Sequence, residues 1–404
     1  MKEVSGGVCA PKGFRAAGVH CGVRKNKEKR DLALILSDVP CTAAAVYTQN
    51  KVKGAPLLVT RNNLSDGVAQ AVICNSGNAN TCNSDGVEIA QSMCALLSEY
   101  ANIPASSVIV ASTGVIGQPL PIEPIKAGMA PLVAALSYEG SGHAAEAIMT
   151  TDTAEKSIAV EFTLSGVNCT MGGIAKGSGM IHPNMATMLV FLTTDAAISA
   201  PLLQKALSAD ILDTFNMVSV DGDTSTNDMV SIMANGMADN PAITEENADC
   251  EAFAKALNTV TRYLCRNIAK DGEGATKLLT CIVTGAVDTA TAKVLAKSVI
   301  ASSLVKAAMF GSDANWGRVL CALGYSGAKV DVDAVDVSFA SKAGEVKVCV
   351  DGRGVAFSEE KAKTILSEDE IEIRVSLHEG TGSAEAWGCD LTYDYVKING
   401  DYRT

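Results

Sequence analysis

Gly172-Gly173-Ile174-Ala175-Lys176-Gly177-Ser178-Gly179-Met180-Ile181-His182-Pro183-Asn184-Met185-Ala186-Thr187-Met188 is the stretch on which the reading of this chain turns. Four glycines fall within its first eight residues, and glycine reaches backbone conformations closed to other residues. The pattern predicts an irregular loop, with a lysine inside it, feeding a buried strand at Met188 to Leu192. The G-x-x-x-x-G-K-[ST] order of a phosphate-binding loop is absent, and so is the G-x-G-x-x-G fingerprint. What the segment does hold is a small residue followed by threonine at the head of a strand, Ala186-Thr187. That arrangement suits a nucleophile released by chain cleavage, and equally an ordinary β-branched strand residue.

Outward from this stretch, strand-like and helix-like segments alternate. Ala71 to Cys74 reads as a short buried strand running into a polar turn, Asn75-Ser76-Gly77-Asn78-Ala79-Asn80. Ser84 to Tyr100 reads as a helix with Ser84 as its cap. Val108 to Val110 is another strand, ending at Ser112-Thr113-Gly114. Ser157 to Leu164 and Asn168 to Met171 form a hairpin around Ser165-Gly166-Val167. On the C-terminal side, helices are predicted at Pro201 to Phe215 (capped by Ser199), Glu245 to Ala269 and Thr289 to Met309. Strands are predicted at Lys277 to Val283, Val335 to Ser338, Glu345 to Val350, Ile371 to Val375 and Leu391 to Ile398. Mixed strands and helices throughout make an α/β or α+β architecture.

The 404 residues carry 33 Lys and Arg against 45 Asp and Glu, a net charge of −12 with the histidines neutral. Nucleic acid and anionic membrane are therefore not expected as partners, since phosphate binding needs a basic surface. With 48% hydrophobic and 19% charged residues the chain is globular, and its length allows two or three domains. Aromatic residues make up only 4% while glycines number 35, which points to close backbone packing and not to stacking platforms. The first seven residues lack the apolar run of a secretory leader, and no apolar stretch approaches the ~20 residues of a membrane span. A soluble cytoplasmic protein is the expectation. None of the thirteen cysteines forms a C-x-x-C pair and none of the four histidines forms H-E-x-x-H. The cysteines read as small buried hydrophobes in a reducing compartment, and no metal is expected.

The run from Gly172 to Met188 resembles the ornithine acetyltransferase family (glutamate N-acetyltransferase, ArgJ-type) of arginine biosynthesis. Further blocks resemble that family in the same order. They are Asn75 to Asn80, Ser112-Thr113-Gly114-Val115-Ile116-Gly117, Met149-Thr150-Thr151-Asp152-Thr153, Asp221 to Asp228, Asp271-Gly272-Glu273-Gly274-Ala275-Thr276-Lys277, Asp313 to Arg318 and the ending Asn399-Gly400-Asp401-Tyr402-Arg403-Thr404. The resemblance covers essentially the whole chain. It implies sheets sandwiched by helices, as in self-cleaving aminopeptidases, with a smaller α+β C-terminal domain starting near residue 285.

The resemblance also implies self-cleavage between Ala186 and Thr187, giving an α fragment (1–186) and a β fragment (187–404) that assemble as α2β2. Thr187 would then be the nucleophile and its new α-amino group, with a reference pKa of about 8, the base. Thr113 and Gly114 are implied as the oxyanion hole. Thr150 (or its neighbour Thr151), Lys176, Thr187, Glu273, Asn399 and Thr404 are implied as substrate contacts. A cation at Lys176 suits a substrate carboxylate, and Glu273 suits an amino group. The Asp221, Asp223 and Asp228 block lacks the EF-hand glycine and reads as turn and cap hydrogen bonding. His182 lies near the scissile bond with no reason to make it the base, and Trp316 reads as packing.

The function expected from the resemblance is ping-pong transfer of acetyl from N-acetylornithine to glutamate, with acetyl-CoA as a further possible donor in some members and no metal or organic cofactor. Two rivals are a self-processing aminopeptidase or amidohydrolase of the same fold, and a binding protein that keeps the fold without the chemistry.

Overall fold

The computed structural model describes residues 1–182 and 188–401. Its strands are β1 (Lys2–Val4), β2 (Phe14–Val19), β3 (Leu32–Tyr47), β4 (Val68–Asn78), β5 (Val108–Val115), β6 (Lys156–Leu164), β7 (Val167–Lys176), β8 (Leu189–Thr194), β9 (Val218–Ser219), β10 (Met229–Ala234), β11 (Leu278–Ala286), β12 (Asp336–Ser341), β13 (Gly344–Val350), β14 (Arg353–Gly354), β15 (Glu370–Ser376) and β16 (Gly382–Cys389). One sheet runs β1-β6-β7-β8-β10-β3-β4-β5 with β2 added on β3; the other runs β14-β13-β12-β15-β11-β16-β9. In the first sheet β8/β10 and β4/β5 are parallel and the other ladders antiparallel. This is the mixed α/β architecture expected, with helices against both sheets. The second sheet takes β9 whole, and all but the last two residues of β11, from before residue 285.

The helix Ala248–Lys270 packs on strands of both sheets. Its apolar residues Phe253, Ala256, Leu257, Val260, Leu264 and Ile268 are fully buried, the i, i+3, i+4 stripe of a core-facing helix. Its cap is Asn247, whose side chain accepts from the Cys250 N–H at 3.0 Å, so the helix starts later than the Glu245 expected. Strand β8 is buried on both faces. Val190 and Leu192 join the core shared with that helix, while Leu189 and Phe191 point to the opposite core with Phe14, Ile35 and Met233. A strand covered on both sides reads as an unbroken apolar run.

Several sequence expectations shift. Gly172 and Gly173 lie inside β7, not in a loop, and neither has a positive φ. Close approach is their reason: a Cβ on Gly172 would stand 1.9 Å from the Gly7 carbonyl oxygen. The polar block Asn75 to Asn78 continues β4 instead of turning, because Asn75 donates to the Asn78 carbonyl at 3.0 Å and accepts from Ser112 at 2.6 Å. The helix near Ser84 begins at Gly86 after Asp85, and the one after Ser199 stops at Asp210. The predicted 289–309 helix is two, Thr289–Ala301 and Ser303–Phe310, with Ser302 capping the second. Leu391 to Ile398 is not a strand: Tyr393–Asp401 is a helix. Strand β16, unread in the sequence, already holds the place beside β11, and the chain leaves the sheet at Asp390, whose carboxylate accepts from Thr276 and Lys277 N–H groups.

Candidate active site

The glycine-rich stretch is laced into place by four acidic residues. At the end of β7, the Gly177 N–H donates to buried Asp152 at 2.7 Å, and the other Asp152 oxygen accepts from the Thr150 N–H at 2.9 Å. Lys156 joins Asp152 (2.8 Å) to Asp271 (2.6 Å). Burial works against the Asp152 charge, but Lys176 and then Lys156 hold its carboxyl well below the usual carboxylate range. The Asp271 carbonyl accepts from Ser178 Oγ at 2.7 Å, and the Glu273 N–H donates to the Ser178 carbonyl at 3.0 Å. Asp221 accepts from the Met180 and Ile181 N–H groups at 2.6 and 2.9 Å. Hydrogen bonding is thus what Asp221 does, as expected.

These bonds shape a cavity of about 300 Å³. Its wall contains Thr113, Gly114, Thr150, Thr151, Lys176, Glu273 and Asn399, together with Gly179, Met180 and Asn227. Six residues singled out from the sequence, Thr113, Gly114, Thr150, Lys176, Glu273 and Asn399, therefore meet in one place, and Thr151 lies beside Thr150 in the same wall. The charged side chains of the described lining are Lys176 and Glu273, both under a tenth exposed. Such a wall offers one cation and one anion to a ligand that carries both signs. Ala186, Thr187 and Thr404 lie outside the described residues. On the near side of that gap, Gly179 and Met180 line the cavity. On the far side, Leu189 is the ladder partner of Lys176, and the Met188 carbonyl accepts from Met229 N–H at 2.9 Å.

The Thr113-Gly114 corner closes β5 where its parallel ladder with β4 loses register at Asn78. Gly114 has φ +135°, and a Cβ there would lie 2.3 Å from the Gly77 carbonyl carbon. Only glycine fits. A bulge at the end of a ladder re-aims the backbone, and backbone N–H groups are the donors an oxyanion needs.

Asn227 is a residue the sequence reading missed. Its amide donates to the Ala79 carbonyl at 2.6 Å and the Ser112 carbonyl at 3.0 Å, and accepts from the Thr81 and Thr226 hydroxyls at 2.5 and 2.6 Å. It ties the strand end before the Thr113-Gly114 corner to the head of β10. Read as turn chemistry, the Asp221 to Asp228 block hid it; an asparagine just before a mostly apolar strand was the available signal. Neighbouring Asp228 is fully buried. Burial raises its carboxyl well above the usual range, and its Oδ2 has no hydrogen-bond partner among the described residues. His182 donates to or accepts from Ser219 at 3.0 Å; burial, and then the Lys297 charge, push its pKa down to about 4. Trp316 is outside the cavity wall and packs against Gly354. All thirteen cysteines are free, and nine are buried.

Among the described residues no helix is long and apolar enough to cross a membrane. A family model described as "ArgJ family" matches residues 15–404. The arginine biosynthesis bifunctional protein ArgJ of Symbiobacterium thermophilum is 52% identical over the full length of both chains. Its counterpart in Caldanaerobacter subterraneus subsp. tengcongensis is 51% identical, again over the full length of both. A crystal structure of the arginine biosynthesis bifunctional protein from Bacillus halodurans matches with 49% identity and a TM-score of 0.51, covering 54% of this chain and all of that one. A match across nearly the whole sequence, at this identity, leaves one conclusion: the chain belongs to the ArgJ family.

Proposed function

We propose that the protein is a glutamate N-acetyltransferase of arginine biosynthesis that moves acetyl from N-acetylornithine to glutamate through an ester on Thr187. What carries the reading is the convergence of Thr113, Gly114, Thr150, Lys176, Glu273 and Asn399 on one cavity in a chain of this family. Cleavage between Ala186 and Thr187 frees the Thr187 amine. That amine takes the hydroxyl proton as Oγ attacks the acetyl carbonyl, while Thr113 and Gly114 stabilise the oxyanion. The C–N bond breaks, the proton passes to the leaving nitrogen, and ornithine departs. The glutamate amine then attacks the ester, giving N-acetylglutamate and restoring Thr187. Lys176 holds the substrate carboxylate, Glu273 the amino group, and Thr150, Asn399 and Thr404 complete the contacts. Every group the chemistry needs belongs to the protein, so no metal or organic cofactor enters.

The share of this chain matched by the solved Bacillus halodurans chain, 54%, equals that of a 187–404 fragment. This supports the cleavage position. The relatives' description as bifunctional supports a second donor, acetyl-CoA. We further propose an α2β2 assembly of fragments 1–186 and 187–404 in the cytoplasm. The first test is intact mass with N-terminal sequencing: two fragments are expected, one starting Thr187-Met188-Leu189-Val190. Ornithine release from N-acetylornithine should then rise steeply with glutamate. Release independent of glutamate would identify an amidohydrolase, and a single uncut chain would overturn the self-processing nucleophile.

A further inference from the structure

Arg24-Lys25-Asn26-Lys27-Glu28-Lys29-Arg30 puts five cations and one carboxylate into seven residues of a chain whose net charge is −12. Two of the cations are fixed. The Arg24 guanidinium donates to the carbonyl of Met149, the residue before Thr150 of the cavity wall. Its stem lies over Gly77, where a Cβ would stand 2.8 Å from Arg24 Cγ, and Gly77 is the ladder partner of Gly114. Arg24 thus touches neighbours of the cavity wall from two sides. At the other end of the run, Arg30 pairs with Glu146 and donates to the Gly18 carbonyl at 3.1 Å.

Buried Asp31 closes the base of the loop. Its carboxylate accepts from the N–H groups of Cys21, Gly22 and Arg24 at 2.6, 3.1 and 2.8 Å. Between the two anchored arginines, Lys25, Lys27 and Lys29 are exposed, and no ion pair of the described residues includes them. Lys27 is three residues from the Arg24 anchor, at most about 11 Å of chain. Like charges held this close repel, and a rigid base keeps that repulsion in the folded state. Lys176 already supplies the cation that one amino-acid carboxylate needs. Three further ammonium groups on a loop anchored beside the cavity match a ligand with several phosphates, separated from its reactive end by a long arm.

We propose that the loop between Arg24 and Arg30 binds the phosphate-bearing end of a nucleotide-linked acyl thioester, acetyl-CoA being the probe, while the acetyl end enters the cavity past Thr150. This builds on the acetyltransferase reading above. The test is the triple variant Lys25→Glu, Lys27→Glu, Lys29→Glu, assayed in two ways on one preparation. Acetyl-CoA-dependent formation of N-acetylglutamate should show a KM for acetyl-CoA raised about tenfold or more, with a flattened salt dependence. Exchange between N-acetylornithine and glutamate should keep its kcat and both KM values, which also reports that the variant is folded. An unchanged KM for acetyl-CoA would overturn the proposal, as would an equal rise in all three KM values, the mark of general anion steering. Wild-type protein with exchange but no acetyl-CoA activity would overturn it too. Wild-type protein without exchange would instead overturn the acetyltransferase reading itself.

Discussion

Asn399 donates its side-chain N–H to Glu273 Oε2 at 2.7 Å, across 126 residues of sequence. The bond joins the C-terminal helix to the wall of the cavity and fixes the one described carboxylate that faces it. Asn399→Ala should leave Glu273 free to turn. We expect the KM for the amino-acid substrates to rise about tenfold, the scale of a lost hydrogen bond to a charged group, with kcat nearly unchanged. Steady-state kinetics of the exchange reaction check this; an unchanged KM would remove Asn399 from the site.

Gly179 allows the same carboxylate to sit against the main chain. A Cβ on Gly179 would fall 2.4 Å from the Glu273 carboxyl carbon. Gly179→Ala should therefore displace Glu273 without unfolding a half-exposed loop. Its kinetic signature should resemble that of Asn399→Ala, and the melting temperature should stay within a degree or two of wild type.

Asn227→Asp exchanges the two N–H donors of one amide nitrogen for a single carboxylate oxygen that faces the Ala79 and Ser112 carbonyls. The expected cost is roughly 2–3 kcal/mol of stability, from repulsion and two orphaned buried carbonyls. Because Ser112 precedes Thr113 and Gly114, the proposed oxyanion donors, kcat should fall more than KM rises. Denaturant unfolding together with kinetics separates the two effects.

Acid should weaken the fold in two stages. His182 is held near pKa 4, below its ordinary 6.5, by burial and then by Lys297. The unfolded chain binds that proton first, so stability falls as the pH drops from 6.5 toward 4. Asp152, whose folded pKa is depressed, contributes stability above about pH 4 that is lost on further acidification. Melting temperature against pH should show both limbs. His182→Gln should remove the upper one, and a variant curve that overlays wild type would show that His182 titrates alike folded and unfolded.

The sequence revealed the site better than the fold around it. Short, odd blocks such as Thr150-Thr151-Asp152-Thr153 and Asp271-Gly272-Glu273 are spelled out in the chain, and their members meet at the cavity. Asn227 stayed hidden because its role depends on carbonyls at positions 79 and 112, which no local pattern contains. The C-terminal helix was misread for a similar reason. Leu391 to Ile398 alternates well enough for a strand, but β16, rich in Gly and Ala and weak in strand signal, takes the place beside β11 first. Gly172 misled in the opposite direction, since a glycine that serves close approach looks like one that serves a turn.

The strand order of the first sheet has a consequence for the life history of the molecule. Reading across it, β1, β6 and β7 precede residue 186, β8 and β10 follow residue 187, and β3, β4 and β5 precede it again. A cut between Ala186 and Thr187 thus leaves a two-strand wedge of one polypeptide clasped on both flanks by the other. Pulling the pieces apart would bare four strand edges and the apolar faces of β8 at once. The proposed scission would change covalent connectivity without changing the architecture. The same interleaving would fix the order of events under the proposed cleavage: the precursor would weave first and sever afterwards, and halves made separately would each begin life with a torn sheet.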